Sequence, residues 1–195
     1  CSGLHSSAIL SPLKRQHCQI ASLHPLKAFP QGRFDADIFQ NCYCSCEGDQ
    51  EAMLFLTNLF ATLGAVVFPI NSEHKKLYHA AAVIASNYPV TLAEQAMACF
   101  KQAGITDGCL AKSIIIQLMQ SCIENMKNQE NLASALTGPI ARGDQYTVEK
   151  HLEALKDLPL NHLYRQLGLV TLELTSLKKS DKETLTRILT ASILT

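Results

Sequence analysis

The stretch NCYCSCEGDQEAMLFLTNLFATLGAVVFPI, residues 41–70, decides the fold. Cys42, Cys44 and Cys46 alternate with Tyr43 and Ser45, which is the period of a β-strand, so the three thiols share one face. Residues 50–63 follow with Leu56, Leu59, Phe60 and Leu63 at helical spacing, Asp49 placed to cap the helix and Gly64 to stop it. Residues 65–70 then return to a short apolar run suited to a strand. The stretch reads as a strand, helix, strand unit.

Upstream, residues 19–23 form a further strand, and Pro25 and Pro30 lie beyond its end. Downstream the pattern turns almost wholly helical. Ser72 is placed to cap a helix to about Tyr88, which Pro89 ends or kinks, and Thr91 with Glu94 forms a capping box for a helix closing at Gly104. Residues 109–127 carry Leu110, Ile114, Leu118 and Cys122 as an apolar face. A turn-rich loop, Leu136-Thr137-Gly138-Pro139-Ile140-Ala141-Arg142-Gly143-Asp144, leads to a short helix over 147–156 and then Pro159. Leu163, Leu167, Val170, Leu174 and Leu177 step by four and three, a seam suited to a neighbouring helix in this chain or a partner. Ser180 with Glu183 forms a second capping box, opening a last helix with Leu185, Ile188 and Leu189 inward. The fold class is α+β: a small sheet, then an all-helical part, with the boundary between residues 71 and 72.

With 195 residues, 47% of them apolar, the chain can bury a core, and disorder is excluded as its main description. Seventeen basic residues balance seventeen acidic ones, leaving no excess charge for nucleic acid or an anionic membrane surface. The charged fraction is 17% against roughly 25% in an average domain, which points to an oligomer. No apolar run approaches the ~20 residues that cross a bilayer, and no signal peptide opens the chain. It starts at Cys1, with its first methionine at Met53. A cut inside a longer protein is the expected reading, ahead of a lipid-anchored end or an N-terminal nucleophile.

Eight cysteines are present without a CxxC pair or zinc-type histidine spacing, so no metal site is expected. Cys1, Cys18, Cys99, Cys109 and Cys122 read as small core residues of a reducing compartment, with the cytoplasm as the default.

Three stretches can carry chemistry. On the helix after Ser72, the residues Lys76, His79, Val83, Ser86 and Asn87 fall within an arc of roughly 100°. They put a cation, an imidazole, a hydroxyl and an amide on one stripe. His24-Pro25-Leu26-Lys27-Ala28-Phe29 follows a strand, placing an imidazole at a strand's carboxyl end, where open α/β sheets bind ligands. The 137–144 loop presents backbone N–H groups and Arg142 to an anion. Neither G-x-G-x-x-G nor G-x-x-x-x-G-K-[ST] occurs, so the chain has no recognisable phosphate cradle of its own. A turn histidine, a solvated stripe and an ordinary helix connection are the alternative readings of the same three stretches.

Together His24-Pro25-Leu26, Lys76-x-x-His79-Ala80-Ala81 through Ser86-Asn87-Tyr88, and Leu136-Thr137-Gly138-Pro139-Ile140 through Arg142-Gly143-Asp144 resemble the Rossmann-like proteins that carry a C-terminal domain of unknown function numbered 2520. The resemblance implies an NAD(P)-binding Rossmann domain followed by a helical domain that forms homodimers, distantly similar to prephenate dehydrogenases, pyrroline-5-carboxylate reductases and coenzyme F420-dependent NADP oxidoreductases. Residues 1–71 then correspond to the end of the nucleotide-binding domain, and 72–195 to the substrate-binding and dimerisation domain. The resemblance implies His24, Lys76 and Asn87 as catalytic residues, with His24 as acid or base. It implies substrate contacts from His79, Ser86, Thr137 and Arg142, and cofactor contacts from Ser2, Gly3 and Pro25. NAD(P) is expected in the intact protein, and none bound by this chain alone. Two functions follow: part of an NAD(P)-dependent oxidoreductase for a small hydroxy, keto or imino acid, or a helical dimerisation or ligand-binding module without catalysis.

Overall fold

The computed structural model describes residues 2–29, 32 and 37–191. The expectations for Cys1 and Pro30 fall outside them. The described chain forms two compact units, Cys1–Leu92 and Ala93–Thr195.

In the first unit a 3-10 helix over Ser7–Gln16 precedes strand β1 (Ala21–Pro25), β2 (Tyr43–Gly48), helix α1 (Gln50–Thr62) and β3 (Val66–Pro69). β1 and β2 are antiparallel, with His24 opposite Ser45, and β2 and β3 are parallel, with Tyr43 opposite Val66. The first two strands run two residues further along the chain than the pattern predicts, so His24 and Pro25 end β1 rather than follow it. Because β1 is antiparallel to its neighbour, its carboxyl end lies beside the amino ends of β2 and β3.

Cys42, Cys44 and Cys46 are all buried, but so are Ser45 and Glu47, so burial does not alternate along β2. The three cysteines pack with Leu23 and Ala65 beneath Met53, Leu56 and Phe60 of α1. Burial, followed by its thiol neighbours, pushes the Cys44 thiol up to about 12, so it is an inert core side chain. Leu59 and Leu63, expected on the same helix face, are exposed instead. Gly64 ends α1 in the left-handed region at φ +80°, and the Ala65 N–H closes back on the Phe60 carbonyl. Asp49 occupies the cap position, but its carboxylate turns away to accept from Ile20 N–H at 2.9 Å and Lys14 Nζ at 2.6 Å.

Helix α2 spans Lys75–Gln102 without interruption and contains Pro89. The predicted break and the Thr91 capping box are therefore corrected. A proline forfeits one backbone bond and crowds the carbonyl four residues back, and here the helix carries that cost. Thr91 Oγ1 donates back to the Asn87 carbonyl as an interior helical residue does. Asn71, not Ser72, caps the preceding 3-10 turn, accepting from Glu73 N–H at 2.8 Å.

A buried charge pair fixes the start of α2. Lys75 Nζ lies 2.8 Å from Glu47 Oε1, with side chains only 2% and 3% exposed. Lys75 also donates to Ser22 Oγ at 2.8 Å, while Ser7 donates to Glu47 through its backbone N–H and its hydroxyl. Burial pushes the Glu47 carboxyl up, but the hydrogen bonds from Lys75 and Ser7 outweigh it and leave the group below its ordinary value. This network ties β1, β2, the 3-10 helix and α2 together at one point.

The second unit contains α3 (Gly108–Lys127), a short α4 (Pro139–Arg142), α5 (Gln145–Ala154), α6 (Leu160–Glu173) and α7 (Lys179–Thr190). Its core is Val148, Leu152, Leu172, Leu185 and Leu189, with Ile140, Tyr164, Leu169, Leu177 and Ile188 around it. The inward reading of the last helix holds. Asn161 donates to the Leu152 carbonyl, while Arg165 donates to Asn161 and to the Ile188 and Leu189 carbonyls. This cation closes the carboxyl end of α7, where the helix dipole favours positive charge. Asp144 caps α5, accepting from the Thr147 N–H and hydroxyl. Bonds from the Thr147 side chain and then its backbone hold the Asp144 carboxyl below the usual range.

Three further expectations are corrected. Ser180 lies inside α7 rather than capping it; the cap position is Lys178, without a side-chain bond. On α3 the buried residues are Ala111 and Ile115, while Leu110 and Leu118 are exposed. Of the cysteines read as core, Cys18, Cys109 and Cys122 are exposed and Cys99 is half-buried. Along the predicted seam, Leu167, Val170 and Leu174 are exposed. No helix among the described residues is long and apolar enough to cross a membrane.

Candidate functional site

The helix phase set by buried Lys75 turns Tyr78, His79, Ala82 and Ser86 to one side, at offsets of three, four, seven and eleven residues. This side meets the end of β1. Between them lies a cleft of about 530 Å³ lined by residues that include His24, Pro25, Lys27, Tyr78, His79, Ser86 and Asn87, with Ala81, Ala82 and Ala85 as a small apolar wall. No carboxylate is among its lining residues.

The two imidazoles stand edge to face, ring centroids 5.8 Å apart. His24 Nδ1 lies 3.2 Å from the Tyr78 hydroxyl. His79 Nδ1 is buried without a hydrogen-bond partner among the described residues. It is packed under Gly3, where an added Cβ would overlap the His79 ring and lie 2.9 Å from His24 Cε1. Burial, then the neighbouring His79 and Lys75, hold the His24 imidazole below its ordinary 6.5. His24 is therefore neutral at pH 7 and can both donate and accept a proton. Ser86 donates to the Ala82 carbonyl at 2.7 Å, which leaves its oxygen able to accept from a ligand. Lys27 donates to the Ile38 carbonyl.

Of the residues singled out in the sequence, His24, Pro25, His79, Ser86 and Asn87 share this cleft. Lys76 is exposed and lies outside its lining. Gly3 backs the two histidines, whereas Ser2 lines a different hollow and accepts from the Leu4 and His5 N–H groups. Thr137 and Arg142 are exposed residues of the second unit. Tyr78 and Lys75 escaped the sequence reading. Helical spacing does not separate Lys75 from Lys76, since they lie four and three residues before His79 and both fall on its face.

Gly3→Ala is expected to cost about 1–3 kcal/mol, because the new methyl group has no room beside the rings. Thermal melting reads the loss, and histidine NMR reads the displacement of both imidazoles. An unchanged melting temperature and unchanged histidine signals would contradict this packing.

A dinucleotide's pyrophosphate does not fit the described residues. The turn from β2 into α1 puts the Asp49 carboxylate, engaged by Lys14 and Ile20, where a pyrophosphate needs a helix N-terminus free of negative charge, and the connection from β3 through the 3-10 turn to α2 carries Glu73. Among the described residues no group of three or more His, Cys, Asp or Glu side chains is placed to hold a metal ion.

Comparison with known proteins agrees with the α+β architecture. Protein TM1727 of Thermotoga maritima is 31% identical with a TM-score of 0.72, over 89% of this chain and 66% of that one. A Bacteroides fragilis protein proposed to be an NADP oxidoreductase is 23% identical with a TM-score of 0.72, over 88% of this chain and 63% of that one. Pyrroline carboxylate reductase of Plasmodium falciparum, solved with NADP bound, is 12% identical with a TM-score of 0.54, over 96% of this chain and 68% of that one. The last two likenesses are of fold alone. The chain spans about two thirds of the length of these structures. No curated protein matches it. The profile of the domain of unknown function DUF2520 matches residues 42–171, more than half of the chain, and the chain therefore belongs to the DUF2520 family, with a fold like that of NAD(P)-linked oxidoreductases.

Proposed function

We propose that this chain is the substrate-binding and proton-handling part of an NAD(P)-dependent oxidoreductase acting on a small hydroxy, keto or imino acid. The observation that supports this most is the convergence of His24, His79 and Tyr78 on one acid-free cleft. Burial and the neighbouring cations favour the neutral form of His24 at physiological pH, which suits general acid or base work at a substrate oxygen. Asn87 offers an amide donor, Ser86 an acceptor, and His79 a second imidazole for orienting the substrate. An anionic substrate meets no repelling carboxylate among the lining residues. The dinucleotide, whose pyrophosphate the described residues do not fit, would supply the hydride chemistry. Lys76 has no part in this proposal, and the role of His24 does not rest on Thr137 or Arg142.

A homodimer through the helical residues, with the exposed Leu167, Val170 and Leu174 as part of its contact, and a cytoplasmic location belong to the same proposal. The misfit at Asp49 favours a second reading, a helical dimerisation or ligand-binding module without catalysis. Titrating the protein as its gene encodes it with NADPH, followed by fluorescence, separates the two. Saturable binding below millimolar concentration is the expected result. Absence of binding at millimolar NADPH would leave the module.

A further inference from the structure

We propose that Tyr78 is a positioning residue for His24: its phenol holds the imidazole at Nδ1 and so makes Nε2, carrying the ring hydrogen in the resting protein, the nitrogen offered to a ligand in the cleft. The role assigned to that nitrogen rests on the oxidoreductase reading, but the hydrogen-bond geometry and its test do not.

Tyr78 is fixed from several sides. Its ring stands edge-on to His24, with centroids 5.9 Å apart, and edge-on to Phe68 of β3 at 6.4 Å. The hydroxyl is 3.2 Å from His24 Nδ1, and this is the only hydrogen bond of the His24 ring among the described residues. Nε2 of His24 is neither hydrogen-bonded nor enclosed among the described residues. The cross-strand partner of His24 is Ser45, whose buried hydroxyl has no hydrogen-bond partner among the described residues. Burial pushes the Tyr78 phenol up and keeps it protonated wherever His24 titrates.

The chemistry of the two partners sets the direction of this hydrogen bond. A phenol O–H is a stronger donor than an imidazole N–H, and a neutral imidazole nitrogen a stronger acceptor than a phenol oxygen, so the Tyr78 hydrogen points to His24 Nδ1. A neutral imidazole that accepts at Nδ1 must carry its own hydrogen at Nε2. His24 then meets a ligand as a donor, suited to a carbonyl oxygen. When the Tyr78 hydroxyl rotates, Nδ1 can donate to it instead, and Nε2 becomes an acceptor suited to a hydroxyl. The partner at Nδ1 thus sets which of the two His24 presents.

The test is the long-range ¹⁵N–¹H histidine spectrum of the uniformly labelled protein, with and without Tyr78→Phe. The wild type is expected to show His24 mainly as the Nε2–H tautomer. The variant is expected to move the His24 ¹⁵N signals toward a mixture of tautomers and to shift its titration midpoint, while the His151 signals, in the second unit, stay in place as a check on folding. His24 signals and midpoint that do not change would overturn the proposal, as would an Nδ1–H tautomer in the wild type. If Tyr78→Phe fails to fold, the wild-type spectrum decides alone, and a tautomer mixture like that of a free histidine overturns the proposal. Where turnover is measurable, Tyr78→Phe is expected to lower kcat about tenfold with KM within about twofold, and to move the acid limb of the pH profile. Lack of NADPH-linked turnover in the wild type would remove the oxidoreductase reading, and the spectra would still decide the place of Tyr78.

Discussion

Lys75→Met is expected to destabilise the protein by about 3–5 kcal/mol, because it leaves the Glu47 carboxylate buried and without its cation. The pair is not a large source of stability in its own right, since both charges lose their water on folding. Removing one partner is costly because the other stays buried. In the wild type Glu47 titrates below its ordinary 4.5. Its contribution to stability is therefore complete above about pH 4.5 and lost as the pH falls through the lowered value. In Lys75→Met the order reverses. Burial then dominates, the carboxyl titrates above 4.5, and acid recovers part of the lost stability. Urea unfolding of both proteins between pH 4 and 7 measures the difference. A loss below about 1 kcal/mol, or the same pH slope in the two proteins, would show that the pair is not buried as described. Replacing both partners, with Glu47→Gln in the Lys75→Met background, is expected to restore part of the stability, because no lone charge remains.

His24→Ala is expected to lower turnover by about 10²- to 10⁴-fold while leaving NADPH affinity within about threefold, as befits a residue that moves a proton and does not hold the cofactor. The pH dependence follows from the lowered affinity of His24 for its proton. Between the folded value and 6.5 the unfolded chain binds the proton and the folded chain does not, so the contribution of His24 to stability is complete above about pH 6.5 and is lost as the pH drops. Removing the side chain should flatten that part of the stability curve. Loss of cofactor affinity in the variant would mean that His24 contacts the dinucleotide.

The fold was most legible in the strand, helix, strand unit of residues 41–70. The cysteines of β2 alternate with polar neighbours, and Gly64 closes α1 because a backbone at φ +80° suits glycine. Helix starts were less legible. Thr91 and Ser180 have the spacing of capping boxes, yet both lie inside helices, since the motif records a local option that packing along the rest of the helix can override. Asp49 is a cap by position, but Ile20 and Lys14 compete for its carboxylate.

The candidate site shows the same division. The arc that joins His79, Ser86 and Asn87 follows from helical geometry and was readable in advance. The choice between Lys75 and Lys76 was not, because one residue turns a side chain by about 100°, and only the buried Glu47 reveals which lysine faces inward. Tyr78 was hidden for a different reason. Its partner His24 is 54 positions away, and no local pattern reports a contact of that separation.

His24 and His79 line one cleft, which under the proposed function receives small carbonyl-bearing carboxylates. The most direct test is a titration of the ¹⁵N-labelled protein with oxamate, a small analogue of a 2-oxo acid, followed through the histidine side chains. The His24 and His79 signals are expected to move together along one binding curve while those of His151 stay still. Movement of only one of the two, or of neither up to tens of millimolar oxamate, would contradict it.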